Sequence, residues 1–202
     1  MSSSDTQTIR HLQSENIRLR TENGAMRNYV ERLQGTLSAL VDLQKSIDSI
    51  RPETNIFLLI HNLVEASLLA VDSENGSLML LDEDTGELVF VEVIGDAQER
   101  LMNRRLPKGA GIAGWVMENR TARVITDAGS EPTIRLSVNH YTGLETRTMA
   151  CVPLLDGERR LGVIEVINSR SGRLFETADL DVLQLVARLA SLAIVEAEKA
   201  AV

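Results

Sequence analysis

Few residues in this chain could do chemistry, and Glu165 is foremost among them. It stands in Leu161–Ile167, LGVIEVI, where Val163, Glu165 and Ile167 would share one side of a strand and Ile164 and Val166 the other. An acid set among Val and Ile either faces water or lines a pocket and receives a donor. Cys151 lies in a second apolar run, Ala150–Leu155. A nucleophilic cysteine needs a thiolate with a base beside it, so this one reads as a buried, inert thiol. His11, His61 and His140 show no metal-ligand spacing, and Trp115 reads as core. Leu106–Gly114, LPKGAGIAG, opens a helix whose first amides could hold an anion. It lacks the Lys-Ser/Thr ending of a phosphate-binding loop, and a tight strand-to-helix turn is the plainer reading. No catalytic constellation, metal site or cofactor site emerges, so the expectation is a binding or regulatory protein and not an enzyme.

The elements that must position these residues follow from period and punctuation. Ala150–Leu155 and Leu161–Ile167 flank a polar turn with Asp156-Gly157, which predicts an antiparallel hairpin over 149–168. Upstream, strands are expected at 77–81, 87–94 and 123–126, with 72–76 as a turn. Helices are expected from Thr54, as cap, to Val71, from the GIAG stretch to Asn119, from Glu131-Pro132 to His140, and from Thr177 to about Ala200. Residues 97–104 fit either a short helix or an ordered loop. The order predicts an α+β fold, an antiparallel sheet flanked by helices.

The N-terminal fifty residues follow a different rule. From Ile9 a seven-residue repeat puts Leu12, Leu19, Met26, Leu33 and Leu40 at d, and Asn16, Asn23, Val30 and Leu37 at a. Asn at a costs stability but favours two parallel strands in one register. Glu15 and Glu22 at g would face Arg20 and Arg27 at e of a parallel partner. A homodimer through this coiled coil is expected, the alternative being a lone amphipathic helix folded back on its own domain. Val41 and Leu43 widen the stripe at its end, which implies further helices joining there. Arg51-Pro52 should break the helix. The expected division is a coiled-coil dimerisation helix over 1–50 and a globular domain over 51–202.

With 202 residues, 44% of them hydrophobic, the chain can bury one domain of about 100–150 residues plus an appendage. A net charge of −8 with scattered Lys and Arg argues against direct nucleic-acid binding. No apolar run reaches the roughly 18 residues needed to span a bilayer. The N-terminus lacks the charges and apolar stretch of a secretion signal, and one cysteine forms no internal disulfide. No membrane association is expected, and the expected location is cytoplasmic.

Several stretches together resemble one family. They are GIAGWV at 111–116, ITDA at 125–128, NHYTGLETRTMACVP at 139–153, GVIEVIN at 162–168, and the series Asn168, Phe175, Asp179. In this order and spacing, over roughly 55–197, the chain resembles GAF domains, above all the cyclic-nucleotide-binding ones of phosphodiesterases and adenylyl cyclases. The resemblance implies a GAF-like fold and a pocket between the sheet and the helices on one face. It carries the family's pocket residues onto Ser77, Ile112, Ala113, Asn139, Thr142, Thr146 and Glu165, with a cyclic nucleotide or other purine-like molecule as the implied ligand.

Departures accompany it. Asn139 stands where the family has an aspartate, Gly95 falls where another is expected, and the lysine that ties the last loop to Asp179 is Ser169, with Arg170 or Arg173 as substitutes. The expected function is a sensor that binds a small molecule and passes the signal through a dimeric coil to an output protein in trans, since no output domain is legible on the chain. The alternative is a ligand-free dimerisation scaffold.

Overall fold

The computed structural model describes residues 3–51, 53–127 and 145–200. Over them the chain runs α1 (Ser3–Asp48), α2 (Ile56–Val71), β1 (Ser73–Leu81), β2 (Leu88–Ile94), α3 (Gln98–Leu101), β3 (Arg105–Leu106), α4 (Gly111–Asn119), β4 (Arg123–Ile125), β5 (Met149–Asp156), β6 (Arg159–Ser169) and α5 (Thr177–Ala200). The strands form one antiparallel sheet in the order β3-β2-β1-β6-β5-β4. The expected hairpin at 149–168 is β5–β6, and it sits centrally, with β6 between β1 and β5. Of the segment left open, 97–104, one short helix forms. The helix expected over 131–140 lies outside the described residues.

Alternation along β6 divides the interior in two. Ile164 and Val166 point to a core shared with Leu78, Ala150, Val152 and Leu154 and covered by α2, α5 and the end of α1. Val163 and Ile167 point the other way, onto Met79, Met149 and Cys151, under Ile112, Ala113 and Val116 of α4. Both faces are therefore dry, and an acid on either has little water to face.

Three boundaries differ from expectation. The cap of α2 is Asn55, whose Oδ1 accepts from the Leu58 N–H at 3.2 Å, while Thr54 Oγ1 accepts from the Arg51 N–H. After α2 only Asp72 turns, at φ 58°, and β1 begins at once with Ser73. Thr177 opens α5 as its first helical residue; the preceding N–H, of Glu176, is held by Asp179 Oδ2 at 2.8 Å, a first-turn acid reaching back as in a capping box.

α1 leads two lives along its 46 residues. Up to Leu37 the repeat is exposed: Leu12, Met26 and Leu37 each keep more than half of their surface in water, Leu19, Val30, Asn16 and Asn23 are also exposed, and Leu33 is half-buried. From Thr36 onward a stripe of Thr36, Leu40, Leu43 and Ile47 packs into the chain's own core against α2 and α5. Leu40, read from the repeat as a seam residue, is thus occupied within its own chain. The widened stripe does recruit further helices, and α2 and α5 of the same chain are among them. The globular core consequently begins before residue 51.

Candidate functional site

In-register pairing builds the site across the sheet. Ser77 on β1 stands opposite Glu165 on β6, and Glu165 stands opposite Cys151 on β5. Paired residues share a face, so all three lie on the α4 side with Met79, Val163 and Ile167. Ser77 keeps 5% of its surface, Glu165 6% and Cys151 none. Of the two readings left open for Glu165, the solvent-facing one fails, because the side chain is buried. Burial pushes its carboxyl up to about 7, an effect the Cys151 thiol beside it partly offsets. Burial, then the neighbouring carboxylate charge, hold the Cys151 thiol well above its usual range. A thiol so placed is held away from the thiolate, the reactive form.

α4 lies over this row. Its Ile112 and Ala113 are buried against the sheet. The loop before the helix can fold tightly against it because position 114 is glycine: a Cβ there would stand 2.4 Å from the Gly109 carbonyl carbon. Trp115 is not core. It is half-exposed, with the Arg123 guanidinium 5.0 Å from its ring centroid. Arg123 follows Cys151 in the cross-strand row, one strand further from Glu165.

The segment leading into β5 supplies Thr146, buried at 5%. Asn168 positions it. At φ 54° the Asn168 side chain turns back, accepts from the N–H groups of Arg147 (2.8 Å) and Thr148 (3.2 Å), and donates to the Glu145 carbonyl (2.9 Å). Thr148 adds a second knot, donating to the Ile125 carbonyl at 2.8 Å and accepting from the Phe175 N–H at 3.0 Å. The loop that follows is tied by Arg173, which forms a two-pronged pair with Asp179 at 2.7 Å and donates to the Val71 carbonyl at 3.2 Å. Of the two substitutes for the missing lysine, Arg173 serves; Arg170 pairs with Glu74.

Position 95 cannot hold the carboxylate expected there. Gly95 has φ 105°, and a Cβ would meet Asn75 Oδ1 at 2.3 Å. Asn139 and Thr142 lie outside the described residues. The structure thus puts Ser77 and Glu165 on one face of the sheet under Ile112 and Ala113, with Thr146 buried just ahead of β5. Thr148 and the side-chain turn of Asn168 had no distinguishing sequence signal, because their roles depend on strand ends that meet only in the fold.

Comparison with known proteins accords with this geometry. A family model described as GAF domain matches residues 53–195. A probable 3',5'-cyclic phosphodiesterase of Caenorhabditis elegans is 30% identical over 131 residues, covering 64% of this chain and 17% of that protein. A dual 3',5'-cyclic-AMP and -GMP phosphodiesterase of Takifugu rubripes is 29% identical over 140 residues, covering 64% of this chain and 16% of its own length. The chain therefore spans about a sixth of these relatives. Among solved structures, a GAF domain from a Coxiella burnetii phosphoenolpyruvate-protein phosphotransferase superposes with a TM-score of 0.67 at 19% identity, covering 83% of this chain and 97% of that one. A free methionine-R-sulfoxide reductase from Neisseria meningitidis superposes with a TM-score of 0.66 at 20% identity, covering 82% and 91%.

Proposed function

The chain belongs to the GAF domain family, and from that premise we propose that it is a regulatory protein without catalysis of its own, which binds a small molecule between α4 and the sheet. A cyclic nucleotide or another purine-like molecule is the ligand, and the signal passes through paired α1 helices to a partner protein. The carrying observation is convergence: Ser77 and Glu165 stand opposite each other on the face of the sheet that Ile112 and Ala113 of α4 cover, and Thr146 is buried just ahead of β5. Hydroxyls, backbone groups and one carboxyl on an otherwise apolar wall are what a small-molecule site requires.

A route outward supports the sensing part. The Thr146 segment is knotted through Asn168 and Thr148 to Phe175, and Arg173 joins the same loop to the first turn of α5 and the last carbonyl of α2. α2 and α5 are the helices on which Leu40, Leu43 and Ile47 of α1 pack. A ligand with different affinities for two arrangements of that loop would bias the base of α1.

A second reading, a ligand-free dimeric scaffold, is favoured by the exposed repeat of α1, which needs a partner whether or not the pocket is filled. Thermal-shift screening of the full chain against cyclic AMP, cyclic GMP, purine nucleosides and common metabolites separates the two. A stabilising ligand whose effect shrinks in Thr146→Ala supports the sensor, each hydrogen bond lost costing about 0.5–1.5 kcal/mol. No shift with any compound overturns it in favour of the scaffold. Light scattering of the full chain tests the paired α1, which a monomer at micromolar concentration would refute.

A further inference from the structure

Three acids are buried among the described residues, and they are not equivalent. Asp179 has Arg173 at 2.7 Å, and Glu92 has His61 Nδ1 at 3.3 Å. Glu165 has no base among the described residues: the side chains opposite it across the sheet are Ser77 and Cys151, both neutral. Arg123, the cation that shares its row, is a strand beyond Cys151 and stacks on Trp115. The other side chains packed on that face from β1, β6 and α4, Met79, Val163, Ile167, Ile112 and Ala113, carry no charge.

A carboxyl left this way is poorly solvated, and a thiol is a weak hydrogen-bond donor. What would satisfy it is a donor brought from outside. We infer that the ligand of the proposed pocket seats a nitrogen donor over β6, an amidine, amine or amide N–H that is cationic or neutral, and that an anionic end is refused there. The inference rests on the pocket reading above and narrows its ligand class. An N–H donor would restore a charge-assisted bond in a dry setting, where such bonds are about twice as strong as neutral ones. At about pH 8, the pH for the test, Glu165 is ionised, and an anion would meet like charge with no facing cation on the described wall. Any phosphate or carboxylate on the ligand must therefore lie away from β6, toward the pocket mouth.

The test uses three probes of one shape: benzamidine, benzamide and benzoate, each a single ring that differs only in its polar end. They are titrated into the full chain and into Glu165→Gln, with binding followed by ligand-observed NMR. The expected order on the wild type is benzamidine, benzamide, benzoate, with at least about a ten-fold gap between the first and last. In Glu165→Gln, benzamidine should fall to within two-fold of benzamide. Benzoate binding as tightly as benzamidine, an unchanged benzamidine affinity in the variant, or no binding by any probe overturns the inference. If the variant does not fold by circular dichroism, the order on the wild type decides alone. A purine from the thermal-shift panel that binds wild type and Glu165→Gln equally overturns this inference and leaves the pocket standing. A panel without any binder overturns both.

Discussion

Replacing Glu165 by Gln removes a titration from the core, and the effect on stability can be worked out with its sign. In the folded chain the carboxyl is raised from 4.5 to about 7 by burial. The folded state therefore holds this proton more tightly than the unfolded chain does. Its contribution to stability is fully present below about 4.5, declines as pH rises through the window, and is lost above about 7. A shift of that size corresponds to about 3 kcal/mol. Glutamine has nearly the same volume and does not titrate, so the variant lacks this dependence while every other ionisable group stays. The assay is urea unfolding of both proteins from about pH 5 to about pH 8, read as the difference between them so that shared titrations cancel. The variant should gain on the wild type as pH rises, by up to about 3 kcal/mol across the window. A difference that does not change with pH would refute the reasoning, since it would mean that the carboxyl is solvated or paired in the folded chain.

Four other outcomes follow from the packing. Cys151→Ala should cost about 1 kcal/mol by leaving a small cavity, and the native thiol should resist labelling; rapid labelling would show that β5 opens. Thr148→Val, nearly isosteric, strands the Ile125 carbonyl and the Phe175 N–H and should cost about 2–4 kcal/mol in urea unfolding; a neutral result would deny the knot. Arg173→Ala leaves Asp179 buried without its base and should cost about 1–3 kcal/mol, with Arg173→Lys in between because it cannot make the two-pronged pair. A chain beginning at residue 53 loses Leu40, Leu43 and Ile47, worth about 1.5–3 kcal/mol of burial each, and should melt far below the full chain, whereas one beginning at residue 35 should keep its melting temperature and lose association.

Much of this arrangement was legible in the residues. Strict alternation in LGVIEVI put Glu165 on the side of Val163 and Ile167, and the fold keeps it there. Alternation cannot say whether that side is wet; the answer needed α4, whose Ile112, Ala113 and Val116 cover it. The heptad repeat located a long helix and an apolar stripe, but not the turn at Thr36 where the stripe passes to the chain's own core. That change depends on α2 and α5, which are distant in sequence. Caps slipped by one residue at Thr54/Asn55 because both side chains can accept a hydrogen bond, and only the path of the backbone chooses between them. Arg173 and Arg170 were equally placed as substitutes by spacing; geometry separated them, since one reaches Asp179 and the other Glu74.

The asymmetry of α1 has a mechanical side. The helix is gripped by the core from Thr36 onward and lies beside α2 and β1 from about Asn28, with Arg32 3.9 Å from Asp72, so at 1.5 Å per residue the free part from Ser3 extends about 40 Å beyond its anchorage. A rigid rod clamped at one end acts as a lever: a tilt of about 5° at the clamp carries the far tip through about 3 Å. Shifts too small to repack Leu40, Leu43 or Ile47 would become displacements at Leu12 comparable with the radius of a side chain. Amplification of this kind works only while the rod is stiff, and Gly24, with open space around it, is the place along the free length where stiffness is least. Where a partner grips the rod, below Gly24 or above it, would then decide how much of the movement it feels.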